Sequence, residues 1–132
     1  MSKEPQKTLE EVARQAGCYP PEAYEFVREG LNYTVQRVHG DPSSLPQGQR
    51  HISGQQLCWG LRELALQKWG LMASAVLRRW NITSTYDFGR IVFALVENGL
   101  MQKQPSDSIE DFKDVYDFAE ALDRDYQIAL DD

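Results

Sequence analysis

The chain has 132 residues, 42% of them hydrophobic and 26% charged, with 14 Lys plus Arg against 20 Asp plus Glu for a formal charge of -6. That is enough length for one ordinary domain, and too much apolar content for a disordered chain. The longest strongly apolar run, Ile91 to Val96, is six residues, far short of the roughly 20 that span a bilayer. Residues 1 to 7 lead into a charged helix rather than an apolar stretch, so no secretory signal is expected, and two cysteines, Cys18 and Cys58, read as reduced thiols of a cytoplasmic protein.

In chain order, Thr8 and Glu11 form a capping box, and Leu9, Val12, Ala13 and Ala16 recur on one face until Gly17, which predicts a helix over 8–16. Pro20 and Pro21 suit a first helical turn, and the stripe Ala23, Tyr24, Val27, Leu31, Val35, Val38 carries a second helix to about His39. Two prolines and two glycines make 40–52 a loop. Ser53 and Gln56 repeat the capping box, and Leu57, Cys58, Leu61, Leu64, Ala65 and Trp69 follow at helical spacing until Gly70. A shorter helix from Leu71 to Trp80 is expected to turn Met72, Ala75, Val76 and Trp80 inward and Arg78 and Arg79 outward. Caps at Thr83–Thr85 and at Asn98-Gly99 define a further helix over 84–98. Beyond it two readings compete. Alternation around turn residues predicts a two-stranded β-hairpin near 100–118, with strands at 100–104 and 114–118 and a short helix from about Ala119. Ser108 with Asp111 instead predicts a capped helix from Ile109 to Leu122. The hairpin is the preferred reading.

Charge is unevenly placed. Residues 51–90 carry 5 basic and 2 acidic side chains, whereas residues 91–132 carry 3 and 11. Such asymmetry either steers a partner or is neutralised by solvated faces across the fold.

The run Val76-Leu77-Arg78-Arg79-Trp80-Asn81-Ile82-Thr83-Ser84-Thr85, continued by Asp87-Phe88-Gly89-Arg90 and closed by Asn98-Gly99-Leu100, resembles a helix-turn-helix leading into a wing. The fold expected is therefore mainly α: a small helical single domain, 1–132, with a helical pair over 8–39, the loop 40–52, a winged-helix-like part over 53–118 and a C-terminal tail. Tyr19-Pro20-Pro21-Glu22-Ala23-Tyr24, His51-Ile52-Ser53-Gly54-Gln55-Gln56-Leu57, Asp87-Phe88-Gly89-Arg90-Ile91-Val92-Phe93 and Glu110-Asp111-Phe112 with Val115-Tyr116-Asp117-Phe118 are similar to a family of small, functionally uncharacterised proteins from planctomycete and verrucomicrobial bacteria. That resemblance implies a bacterial protein and brings no activity, cofactor or partner.

The chemistry-bearing residues form no familiar site. Cys18, His39, His51 and Cys58 are zinc-ligand types, but gaps of 21, 12 and 7 lack the close pairs that let one turn present two ligands, so no metal is expected. Cys58 sits within a helical stripe, where burial raises a thiol pKa rather than lowering it. A calcium loop counted from Asp107 would put Phe112 and Phe118 where Gly and Glu are required. No phosphate-binding, nucleophile-elbow or zinc-protease motif occurs. The reading is a non-catalytic protein-interaction module without a cofactor, with Trp59 and Leu66, two turns apart on the helix over 53–69, as the partner-binding residues. The alternative is a winged-helix regulatory protein binding nucleic acid, with Arg78, Arg79 and Arg90 on phosphates and Ser84 or Thr85 toward bases. The charge of -6 disfavours it.

Overall fold

A computed structural model describes residues 8–40, 52–100 and 108–124. The described chain is helical: α1 (Leu9–Ala16), α2 (Pro21–His39), α3 (Gly54–Trp69), a 3₁₀ turn (Gly70–Met72), α4 (Ala73–Arg79), α5 (Thr85–Glu97), a second 3₁₀ turn (Ile109–Phe112) and a final helical turn (Ala119–Arg124). Both capping boxes form as the residue types dictate. Thr8 Oγ1 accepts from Glu11 N at 3.1 Å while Glu11 Oε1 accepts from Thr8 N at 3.0 Å, and Ser53 and Gln56 repeat the exchange at 3.0 and 2.8 Å. These bonds satisfy amides that a helix start leaves without intrahelical partners. Gly17 takes φ +75° and ends α1 in the left-handed region.

The centre is the α2–α3 pair, against which α1, α5 and the 109–112 turn pack. Tyr24, Val27, Leu61, Leu77, Ile82, Phe88, Ile91, Leu95 and Leu122 are fully buried. The two central helices approach closely because two small residues face larger ones: a Cβ at Gly30 would overlap the Leu61 side chain, and one at Gly60 would overlap Thr34 Oγ1. On their outer edge Arg37 Nη2–Glu63 at 2.8 Å and Lys68 Nζ–Glu29 at 3.2 Å tie α2 to α3.

Two expectations are corrected. No strand occurs among the described residues, and 114–118 is not one edge of a hairpin; its expected partner beyond Leu100 lies outside the described residues, as does most of the 40–52 loop. Val115 N donates to Thr85 Oγ1 at 3.1 Å and Tyr116 Oη donates to the Cys58 carbonyl at 2.7 Å, so this stretch bonds to helices rather than to a strand. The described residues thus form no wing of a winged helix. The inward face of α4 is also different. Ala73 and Leu77 are buried, whereas Met72 is 63% exposed and Ala75 is exposed. Gly70, at φ +53°, breaks the helix and the 3₁₀ turn after it resets the phase of α4.

Candidate interaction surfaces

The two residues expected to bind a partner differ in exposure. Trp59 is 46% exposed, but its ring lies 4.7 Å from that of Tyr116 and the Arg62 guanidinium sits 6.0 Å over it. Leu66 packs against the core.

The nucleic-acid set is likewise divided. Thr85 is 1% exposed and its hydroxyl donates to the Phe112 carbonyl, so it cannot reach a base. This corrects the expectation for Thr85. Ser84 N donates to Asp87 Oδ2 at 3.1 Å, and α5 as a whole turns Phe88, Gly89, Ile91, Val92 and Leu95 into the core. Arg90 belongs to a different cluster: its Nη2 lies 3.3 Å from Cys18 Sγ, its Nη1 4.0 Å from Asp87, and its Cζ 5.7 Å over the Tyr19 ring. Tyr19 Oη donates to Asp87 Oδ1 at 2.5 Å, and Asp87 Oδ2 accepts from Thr83 N at 2.9 Å. Burial first, then this bond, raises the Tyr19 pKa, because both favour the neutral phenol.

That cluster flanks an open cleft of about 530 Å³ lined by Glu10, Arg14, Cys18, Tyr19, Pro20 and Pro21 among others. The cysteine beside this cleft, Cys18, is approached by the Arg90 guanidinium, a donor that cannot take a proton. Cys58 is completely buried and burial pushes its thiol up to about 12, so it is the neutral thiol over the physiological range. Among the described residues no three His, Cys, Asp or Glu side chains are grouped to hold a metal ion; His51 lies outside them.

The two most exposed of the large apolar side chains among the described residues lie where the sequence reading did not place them. Leu71 is 51% and Met72 63% exposed, and with exposed Ala75, Arg78 and Arg79 they make up the outward side of the 71–79 stretch. Arg78 and Arg79 make no ion pair among the described residues. Behind this corner Trp80 packs edge-on to Trp69 at 5.4 Å, and both rings contact Phe26. Asn81, at φ +67°, ends α4 by donating its amide to the Arg78 carbonyl, and Ile82 N reaches back to Leu77 O. The corner is thus bounded by a backbone turn at each end, Gly70 on one side and Asn81 on the other. The signal in the sequence was Gly70 next to Leu71-Met72: a helix stop followed at once by two large apolar residues.

No helix among the described residues is long and apolar enough to cross a membrane. No protein-family model, curated protein or solved structure matches the chain.

Proposed function

We propose that this chain is a non-catalytic protein-interaction module that receives an acidic, apolar segment of a partner protein on the outward face of α4. The observation that carries the reading is the exposure of Leu71 and Met72 beside Arg78 and Arg79, two cations without an ion pair among the described residues. Exposed large apolar groups rimmed by charge favour a protein contact, and arginine suits such a rim because its planar fork pairs with carboxylates and is weakly hydrated. The pattern fits an amphipathic helix or turn carrying Leu or Ile on one side and Asp or Glu on the other. The resemblance to the planctomycete and verrucomicrobial family adds no activity to this reading.

A displayed library of random 15-residue peptides selected against the full chain tests it. Enriched sequences should combine Asp or Glu with Leu, Ile or Phe, and their affinity should fall at least about tenfold in Leu71→Ser/Met72→Ser and in Arg78→Glu/Arg79→Glu, since each change removes one recognition element worth about 1.4 kcal/mol or more. Enrichment of basic peptides, or affinities untouched by either pair, would sink the reading.

A further inference from the structure

We infer that the partner received by the α4 face is a second copy of this chain, which presents its acidic segment over 108–120. This rests on the reading of α4 as a docking surface and names the partner of that same site. No Asp or Glu occurs between Glu63 and Asp87, so the stretch that carries Leu71, Met72, Arg78 and Arg79 holds no carboxylate of its own. Lys68 in that stretch pairs with Glu29, whereas Arg78 and Arg79 make no ion pair among the described residues.

The opposite charge is concentrated elsewhere on the same chain. Residues 108–120 hold five carboxylates against one cation, Lys113; Glu110, Asp114, Asp117 and Glu120 are exposed, and Ile109 and Val115 are half-buried. That is the acidic and apolar composition the α4 face selects. Within one copy the two surfaces do not neutralise each other: the turn Ile109–Phe112 packs on α3 and α5, and Glu110 pairs with Lys113 at 3.3 Å. That pair is exposed at both ends and contributes little. Asp114 makes no ion pair among the described residues. Arginines and carboxylates left without each other in one molecule meet in a second, where matched potentials steer the encounter and fix its register. Because the two surfaces differ, the contact is heterologous, with the α4 face of one copy on the acidic segment of the next.

The test is sedimentation equilibrium of the full chain from about 10 μM to 1 mM, the range in which weak contacts become populated. The weight-average mass should rise with concentration. Arg78→Glu/Arg79→Glu should lower the association constant at least about tenfold. So should Glu110→Lys/Asp114→Lys, which leaves the caps made by Asp111 and Asp117 intact. An equimolar mixture of the two variants should associate as the unaltered chain does, because each reversed surface then meets its complement; a variant that had merely lost its fold would not recover. A mass that stays at that of one chain throughout this range overturns the inference, and so does association that neither variant weakens or that mixing does not restore. Peptides that bind the α4 face of a chain that stays monomeric remove the second copy and leave the docking reading standing, with a different protein as the partner. Self-association untouched by both reversals, together with no peptide that depends on α4, removes both.

Discussion

Thr85 Oγ1 donates to the Phe112 carbonyl at 2.6 Å and accepts from Val115 N at 3.1 Å. One buried hydroxyl thus joins the first turn of α5 to a segment nearly 30 residues later, with both its donor and its acceptor in use. Thr85→Val keeps the shape and leaves the Phe112 carbonyl and the half-buried Val115 amide without this partner, which costs about 1 to 3 kcal/mol. In urea denaturation the midpoint should fall accordingly, and Thr85→Ser should recover most of the loss. Equal midpoints for the threonine, valine and serine proteins would show that the bond does not matter.

Leu95 is wholly buried on α5, two residues from exposed Glu97. Leu95→Ala should destabilise by about 2 to 5 kcal/mol through lost burial and the cavity left behind, while Glu97→Ala should stay within about 0.5 kcal/mol. Denaturation curves of the two variants that superimpose would contradict the packing.

Much of this was legible in the sequence because it is local. The caps at Thr8 and Ser53, the stop at Gly17 and most of the periodicity of α2, α3 and α5 depend on residues three or four apart and formed where residue type required, although Val38 at the end of the α2 stripe is 42% exposed, Phe26 outside that stripe is buried, and the Ser108 cap begins only the turn Ile109–Phe112 rather than a helix to Leu122. The hairpin expectation failed for a reason that alternation cannot reveal. Tyr116 and Phe118 do face one side, with rings 5.9 Å apart, but the side they face is built by Trp59 of α3 and Phe88 of α5. Period-two patterning records which side is covered, and a helical layer covers it as well as a sheet does. The phase of α4 was illegible because Met72, Ala75, Val76 and Trp80 satisfy helical spacing as well as Ala73, Leu77 and Trp80 do. The choice between them is made by Gly70 and by the distant Phe26 and Trp69, not by α4 itself. With that phase misread, the exposed corner at Leu71 and Met72 was hidden.

Alkaline pH should destabilise the fold. The Cys58 thiol has an ordinary value of 9.0 and is pushed up to about 12 by burial. Between those values the unfolded chain has lost the proton and the folded one retains it, so stability is full below about pH 9 and declines as pH rises toward 12, by an amount of order 4 kcal/mol. Burial raises the Tyr19 phenol as well, which acts in the same direction. Chemical denaturation at pH 7, 9 and 10.5 should show the decline, and Cys58→Ala, though less stable at pH 7, should lose less stability over that interval. Parallel losses would remove Cys58 as a source.

Duplex DNA should bind weakly. With Thr85 buried and Arg90 engaged by Cys18 and Asp87, Arg78 and Arg79 remain the cations of the proposed set with no ion pair among the described residues. Two phosphate contacts give a slope of log affinity on log salt near -1.8 and a Kd no better than the non-specific range of about 10⁻⁴ to 10⁻⁶ M at physiological salt. Anisotropy titrations with mixed duplexes check this. Sub-micromolar binding abolished by Arg78→Ala/Arg79→Ala/Arg90→Ala would make the nucleic-acid reading the better one.

The ring of Phe112 occupies two notches at once: a Cβ at Gly54 would lie 2.9 Å from its Cε2, and one at Gly89 2.7 Å from its Cγ. It is a wedge whose thickness sets the separation of the α3 N-terminus from α5, and a wedge can fail in two opposite ways. Filling either notch, as in Gly54→Ala or Gly89→Ala, drives the ring outward and loosens the turn that carries it. Thinning the wedge, as in Phe112→Leu, lets the two helix ends settle toward one another. The spacing of the helical layer is thus controlled by a residue outside it, and the turn at 109–112 is a structural part of the helical core rather than an appendage to it.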